Sequence, residues 1–86
     1  MSGFDNAVVL LKQGARMSRA GWNGKGMWIS LVPADQWGLG SKQNYDAGHV
    51  SARMLPWIGM KTVDGAFVPW LCSQTDLLAE DWGEAS

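Results

Sequence analysis

The sequence predicts an α+β fold: a small, mostly antiparallel β-sheet with an N-terminal amphipathic helix and a short C-terminal helix. Three observations carry this. Apolar residues recur at helical spacing near the N-terminus. Two strand-like runs flank an Asp-Gly turn. A Ser-x-x-Asp capping pattern precedes a second apolar stretch.

Taken in order, Phe4, Ala7, Val8, Leu10 and Leu11 share one helical face, which predicts a helix over residues 4–13. Ser2 or Asp5 is placed to cap its start, and Gly14 stands at its C-cap. Arg16-Met17-Ser18 reads as a short extended segment. Residues 20–26, with three glycines, must form a loop. Met27 to Val32 is rich in strand formers and ends at Pro33; both its faces are fairly apolar, as in a covered strand. Residues 34–53 are polar and weakly patterned, and a loop of that length is usually functional or mobile. Trp57 to Thr62 and Ala66 to Pro69 flank Val63-Asp64-Gly65 and read as a hairpin. Ser73 caps a short helix at 74–79, and Glu80 to Gly83 ends the chain as an edge strand or tail. There is no internal repeat and no linker, so residues 1–86 read as a single domain.

Composition narrows the function. A chain of 9.4 kDa keeps roughly 5,000 Å² exposed of about 13,600 Å² when unfolded, which leaves a thin core. Self-association would help so small a core. Six tryptophans are more than it can hide, and Trp favours places where an apolar face meets a polar edge. Lys plus Arg is 7 and Asp plus Glu is 8, so no basic excess exists to track a nucleic-acid polymer. One Cys excludes a disulfide framework within the chain, and one Cys with one His cannot close a zinc site. The longest apolar runs are about five residues, far short of a bilayer span, and no secretion signal begins the sequence. A soluble, reducing, cytoplasmic setting is expected.

The segment Gly21-Trp22-Asn23-Gly24-Lys25-Gly26 is the most informative stretch. It matches neither a P-loop nor a dinucleotide fingerprint. Three glycines nonetheless let backbone N–H groups approach a ligand, while Trp22 offers a stacking face and Lys25 a cation. The plainer alternative is a tight turn whose Trp covers the core edge. Pro69-Trp70 before Ser73-Gln74-Thr75-Asp76 joins an indole to a helix start with neutral donors; ordinary capping beside a core Trp explains it equally. Phe4, Met17, Met27 and Met60 suit either a pocket for flat rings or plain core. His49 reads as a surface residue, and Cys72 as a small buried group. Asp64 is explained by its turn, Asp76 by its cap, and Glu80 and Asp81 by a solvated helix end. No nucleophile, base and orienting group form a set, so no enzyme activity is expected. The residues by themselves describe a small ligand-binding or interaction module.

Two blocks carry a family resemblance. Arg19-Ala20-Gly21-Trp22-Asn23-Gly24-Lys25-Gly26-Met27-Trp28 resembles the R-x-G-W-N-G-K-G-M block of a family of small phage and prophage proteins. Met60-Lys61-Thr62 to Asp64-Gly65, Val68-Pro69-Trp70-Leu71 and Ser73 to Trp82 resemble that family's C-terminal block. Phe4-Asp5, Leu10-Leu11 and Gly14 fit as well, so the likeness covers residues 4–32 and about 57–82. The family is that of the second Thoeris anti-defence protein.

The resemblance implies a sponge. Such proteins bind a cyclic ADP-ribose signal of the glycocyclic type, made from NAD by a bacterial TIR-domain enzyme, without degrading it. The immune effector is then not triggered. The resemblance further implies a homotetramer with pockets between protomers, in the cytoplasm of the infected host. Some members also bind cyclic dinucleotides at a separate place, which leaves a sponge for cyclic di- or oligonucleotides as the alternative ligand reading. Cofactors, nucleic-acid polymers and membranes have no part in it. By motif position, Phe4 and Trp22 would stack on or enclose a base, and Asn23, Gly24 and Lys25 would meet phosphates or ribose. Met27 and Trp70 would wall the pocket, and Gln74, Thr75 and Asp76 would bond sugar hydroxyls. Trp28 would pack core or subunit interface instead. Nanomolar capture needs about -12 kcal/mol. One base stack supplies roughly 1–3 kcal/mol, so hydrogen bonds and shared walls are also required. Residues 34–56 match no fixed pattern and leave selectivity open.

Overall fold

A computed structural model of the chain describes residues 2–22, 26–37 and 54–85. Helix α1 spans Phe4–Lys12, followed by β1 at Met17–Arg19 and a 3₁₀ turn at Ala20–Trp22. Strand β2 covers Trp28–Val32, a second 3₁₀ turn Ala34–Gln36, β3 Trp57–Lys61 and β4 Phe67–Pro69. Helix α2 spans Gln74–Leu78 and β5 spans Trp82–Glu84. The α+β class is as the sequence predicts. The five strands form one antiparallel sheet in the order β4-β3-β2-β1-β5.

Local signals explain most of these elements. Gly14 adopts φ +96 just past α1, a conformation that glycine reaches without steric cost. Gly65 does the same in the β3–β4 hairpin at φ +94, where the Thr62 N–H donates to the Ala66 carbonyl at 2.8 Å and the Ala66 N–H donates to the Thr62 hydroxyl at 3.0 Å. The Ser73 hydroxyl accepts from the Asp76 N–H at 3.1 Å, capping α2 as expected. The start of α1 differs from expectation: its N-cap is Gly3, with no side-chain cap. Ser2 is held elsewhere, because its N–H and C=O pair with Trp82 and its hydroxyl accepts from Asn6. Asp5 stays in the first turn, where its charge opposes the helix dipole favourably.

Register sorts the side chains. Met17 faces Ile29, Ile29 faces Met60, and Arg19 faces Trp82, so these share one side of the sheet. Ala7 and Leu11 of α1 close over that side, and the fully buried core is Ala7, Leu11, Met17, Ile29 and Trp82. Each large member contributes roughly 1.5–3 kcal/mol by burial. The opposite side carries Trp28, Val32, Trp57, Lys61 and Phe67. Among the described residues no helix covers it. Strand β2 is central, as its composition suggests, but among the described residues a helix covers one of its faces alone.

Candidate functional site

Three of the sequence-predicted site residues converge. Phe4 opens α1, Trp22 ends the first 3₁₀ turn, and Trp70 follows β4, yet all three rings gather on Trp82. Trp82 is fully buried, with ring centroids 5.2 Å from Phe4, 5.3 Å from Trp22 and 6.1 Å from Trp70. The contacts are tilted or edge-on, the favoured geometry for aromatic quadrupoles. Trp70 also meets Phe4 at 5.9 Å and Trp22 at 6.5 Å. The Trp82 indole N–H donates to the Asp76 carbonyl at 2.9 Å, so the hub is polar-satisfied as well as packed.

An ion cluster fixes the frame of this aromatic group. The Arg19 Nη1 donates to Asp76 Oδ1 at 2.7 Å, and its Nε donates to Asp81 Oδ1 at 2.8 Å. Asp81 Oδ2 accepts in turn from the Gly21 N–H at 2.9 Å. The Arg19 and Asp76 side chains are 17% and 16% exposed. One guanidinium fork thus joins the turn before Trp22, helix α2 and the approach to β5. The Arg19 guanidinium holds the Asp81 carboxyl below its usual range against the opposing effect of partial burial, and the Gly21 N–H adds to the lowering. The two carboxylates, Asp81 foremost, raise Arg19 further, so it stays charged. This overturns two expectations. Asp81 is not a solvated helix end, and the cap uses the Asp76 backbone N–H, not its side chain: the Asp76 carboxylate is turned to Arg19.

Beside the cluster lies an open groove of about 560 Å³, lined by Trp37, Leu55, Pro56, Trp57, Ile58, Pro69 and Trp70. It sits at the end of the sheet where β3 begins and β4 finishes. Trp37 and Trp57 stand perpendicular at 6.5 Å, and the Trp37 indole N–H donates to the Leu55 carbonyl at 2.8 Å. Trp70 belongs to both the groove and the aromatic cluster.

The remaining expected site residues are placed less centrally. Met27 is half-buried just before β2. Gln74 and Thr75 are exposed on the first turn of α2. Asn23, Gly24 and Lys25 lie outside the described residues, as do His49 and residues 38–53. Cys72 is exposed rather than buried, because it lies in the segment between β4 and α2; partial desolvation and then Asp76 push its thiol up, which disfavours the nucleophilic thiolate at neutral pH. No group of three or more metal-ligating side chains forms among the described residues. Sequence reasoning missed Arg19 as a structural tie and missed Trp37 and Trp57 as groove walls. Arg19 stands 57 and 62 positions from its carboxylates, so no local signal exposes the pairing.

Comparison with known proteins agrees with the two motif blocks. A family model for the Thoeris anti-defense 2-like domain matches residues 2–85. The chain is also 40% identical over 83 residues to a protein named Thoeris anti-defense 2 from Bacillus phage SP01, a match covering 92% of this chain and 89% of that one.

Proposed function

Because the chain belongs to the Thoeris anti-defense 2-like family, and so has a phage anti-Thoeris role, we propose that it acts as a non-catalytic sponge. It sequesters a cyclic ADP-ribose signal of the glycocyclic type in the cytoplasm of the infected host without degrading it. The observation that supports this most is the aromatic surface. An open groove walled by Trp37, Trp57 and Trp70 adjoins the aromatic cluster through Trp70, and a sponge needs such affinity without chemistry. The one cysteine has its thiol pushed up, and Asp81 is engaged by an arginine, which leaves these groups poorly suited to nucleophilic or general-acid work.

A homo-oligomer, in its fullest form a tetramer, completes the proposal. The sheet face bearing Trp28, Trp57 and Phe67 has no helix over it among the described residues, and Leu71 and Leu78 near α2 are 92% and 73% exposed. Clustered apolar exposure of this kind marks interaction surfaces. The test of sequestration is direct. Purified protein is mixed with the signal, filtered and then heat-denatured. Intact signal in the released fraction is the expected result. A cleaved product would overturn the sponge and favour a phosphodiesterase or glycohydrolase.

A further inference from the structure

We propose that the groove between Trp37, Trp57 and Trp70 is the seat of the ligand's uncharged heteroaromatic ring, a nucleobase, and that its phosphates lie outside this groove. The proposal rests on the nucleotide-sponge reading but changes which residues receive the base. Phe4 and Trp22 look from the sequence like the stacking faces. In the fold both are packed against the buried Trp82, at 5.2 and 5.3 Å, and belong to the shell around the core. Both rings are partly buried in that packing, and neither lines the groove.

The groove offers what that cluster lacks. Its volume of about 560 Å³ lies within the usual range for small-molecule sites, and it is open to solvent. Among the described residues its walls include three indoles and two prolines, Pro56 and Pro69, and no ionisable side chain. These described walls give a flat neutral ring stacking surface and offer a phosphate no cation of their own. The Trp37 indole N–H is already taken by the Leu55 carbonyl, so Trp37 presents its ring rather than a donor. Trp70 is the shared wall, and the exposed donors of Gln74 and Thr75 follow it closely in the chain for the rest of a nucleotide.

The test uses the ¹⁵N-labelled full chain, with indole N–H signals assigned by single Trp→Phe changes. Adenosine at millimolar concentration is expected to move the signals of Trp37, Trp57 and Trp70 saturably. Ribose 5-phosphate is expected to leave them in place. Trp37→Ala should weaken adenosine binding about tenfold in a protein whose remaining indole signals show it still folded, and Trp37→Phe, which keeps a flat ring, should restore most of the binding. Adenosine shifts confined to Trp22 and Trp82, or no shifts, would overturn the proposal. So would a Trp37→Ala protein that loses oligomer mass yet binds adenosine normally, which would make the groove an interface between copies. Capture of glycocyclic ADP-ribose separates the two readings. A wild type that fails to retain the signal while adenosine still fills the groove defeats the sponge alone. A Trp37→Ala protein that retains the signal as the wild type does defeats the groove alone.

Discussion

One guanidinium, that of Arg19, ties together the turn that ends at Trp22, helix α2 and the approach to β5. Its replacement tests whether a point charge is enough. Arg19→Lys cannot form the two-pronged contact, so the melting temperature should fall, and Arg19→Ala should lower it further. The acid response follows from Asp81. Its pKa is lowered in the folded chain, so the bond contributes stability that is fully present above the ordinary carboxylate value of about 4. That contribution is lost as pH falls through the lowered folded value. Asp64, lowered first by the Thr62 hydroxyl and then by the Ala66 N–H, acts in the same direction. Thermal melts at stepped pH should therefore be flat near neutrality and fall in acid. Asp81→Asn should start lower and fall less steeply. Gly59 makes a different residue-scale demand. It is buried, and an added Cβ would overlap the Phe67 ring that crosses it. Gly59→Ala should cost about 1–3 kcal/mol in denaturant unfolding, and Phe67→Ala in the same chain should recover part of that loss.

At the scale of elements, the helices and hairpin were legible because their signals are local. Gly14 ends α1, Gly65 turns the β3–β4 hairpin and Ser73 caps α2, each within a few residues of what it organises. Ser73→Ala should destabilise the chain by about 1 kcal/mol, read as a shift in unfolding midpoint with unchanged slope. The start of α1 was misread for a physical reason. Ser2 is recruited into a backbone bridge with Trp82, 80 positions away, and a residue held in that bridge does not cap the helix. Likewise the pattern Ser73-x-x-Asp76 reveals the hydroxyl cap but not that the Asp76 carboxylate is taken by β1. Strand β5 was expected as an edge strand or tail. Its pairing with β1, through Met17–Glu84, Ser18–Gly83 and Arg19–Trp82, makes it the edge strand.

At the scale of the molecule, the sheet has two unlike faces. One is closed by α1 over Met17, Ile29 and Trp82. The other displays Trp28 and Trp57 on either side of Phe67, whose ring meets them at 6.1 and 6.0 Å, with the Arg16 guanidinium 4.6 Å over Trp28. If this open face joins copies of the chain, Phe67→Glu should reduce the mass in solution toward the 9.4 kDa of one chain. Light scattering coupled to size exclusion reads this directly, and an unchanged mass would place the subunit contact elsewhere. The sequence by itself determined the elements, the family and the wealth of indole, because caps, turns, periodicity and motif blocks are short-range features. Only the tertiary structure decided which indoles are engaged and which stay open. Register sets the face on which each strand residue lies, and the β1–β5 pairing carries Trp82 to the centre of the aromatic cluster. Contacts between residues far apart in the chain, some sixty positions for Arg19 and its carboxylates, leave no local trace, so Arg19 and the Trp37–Trp57–Trp70 groove came into view only with the fold.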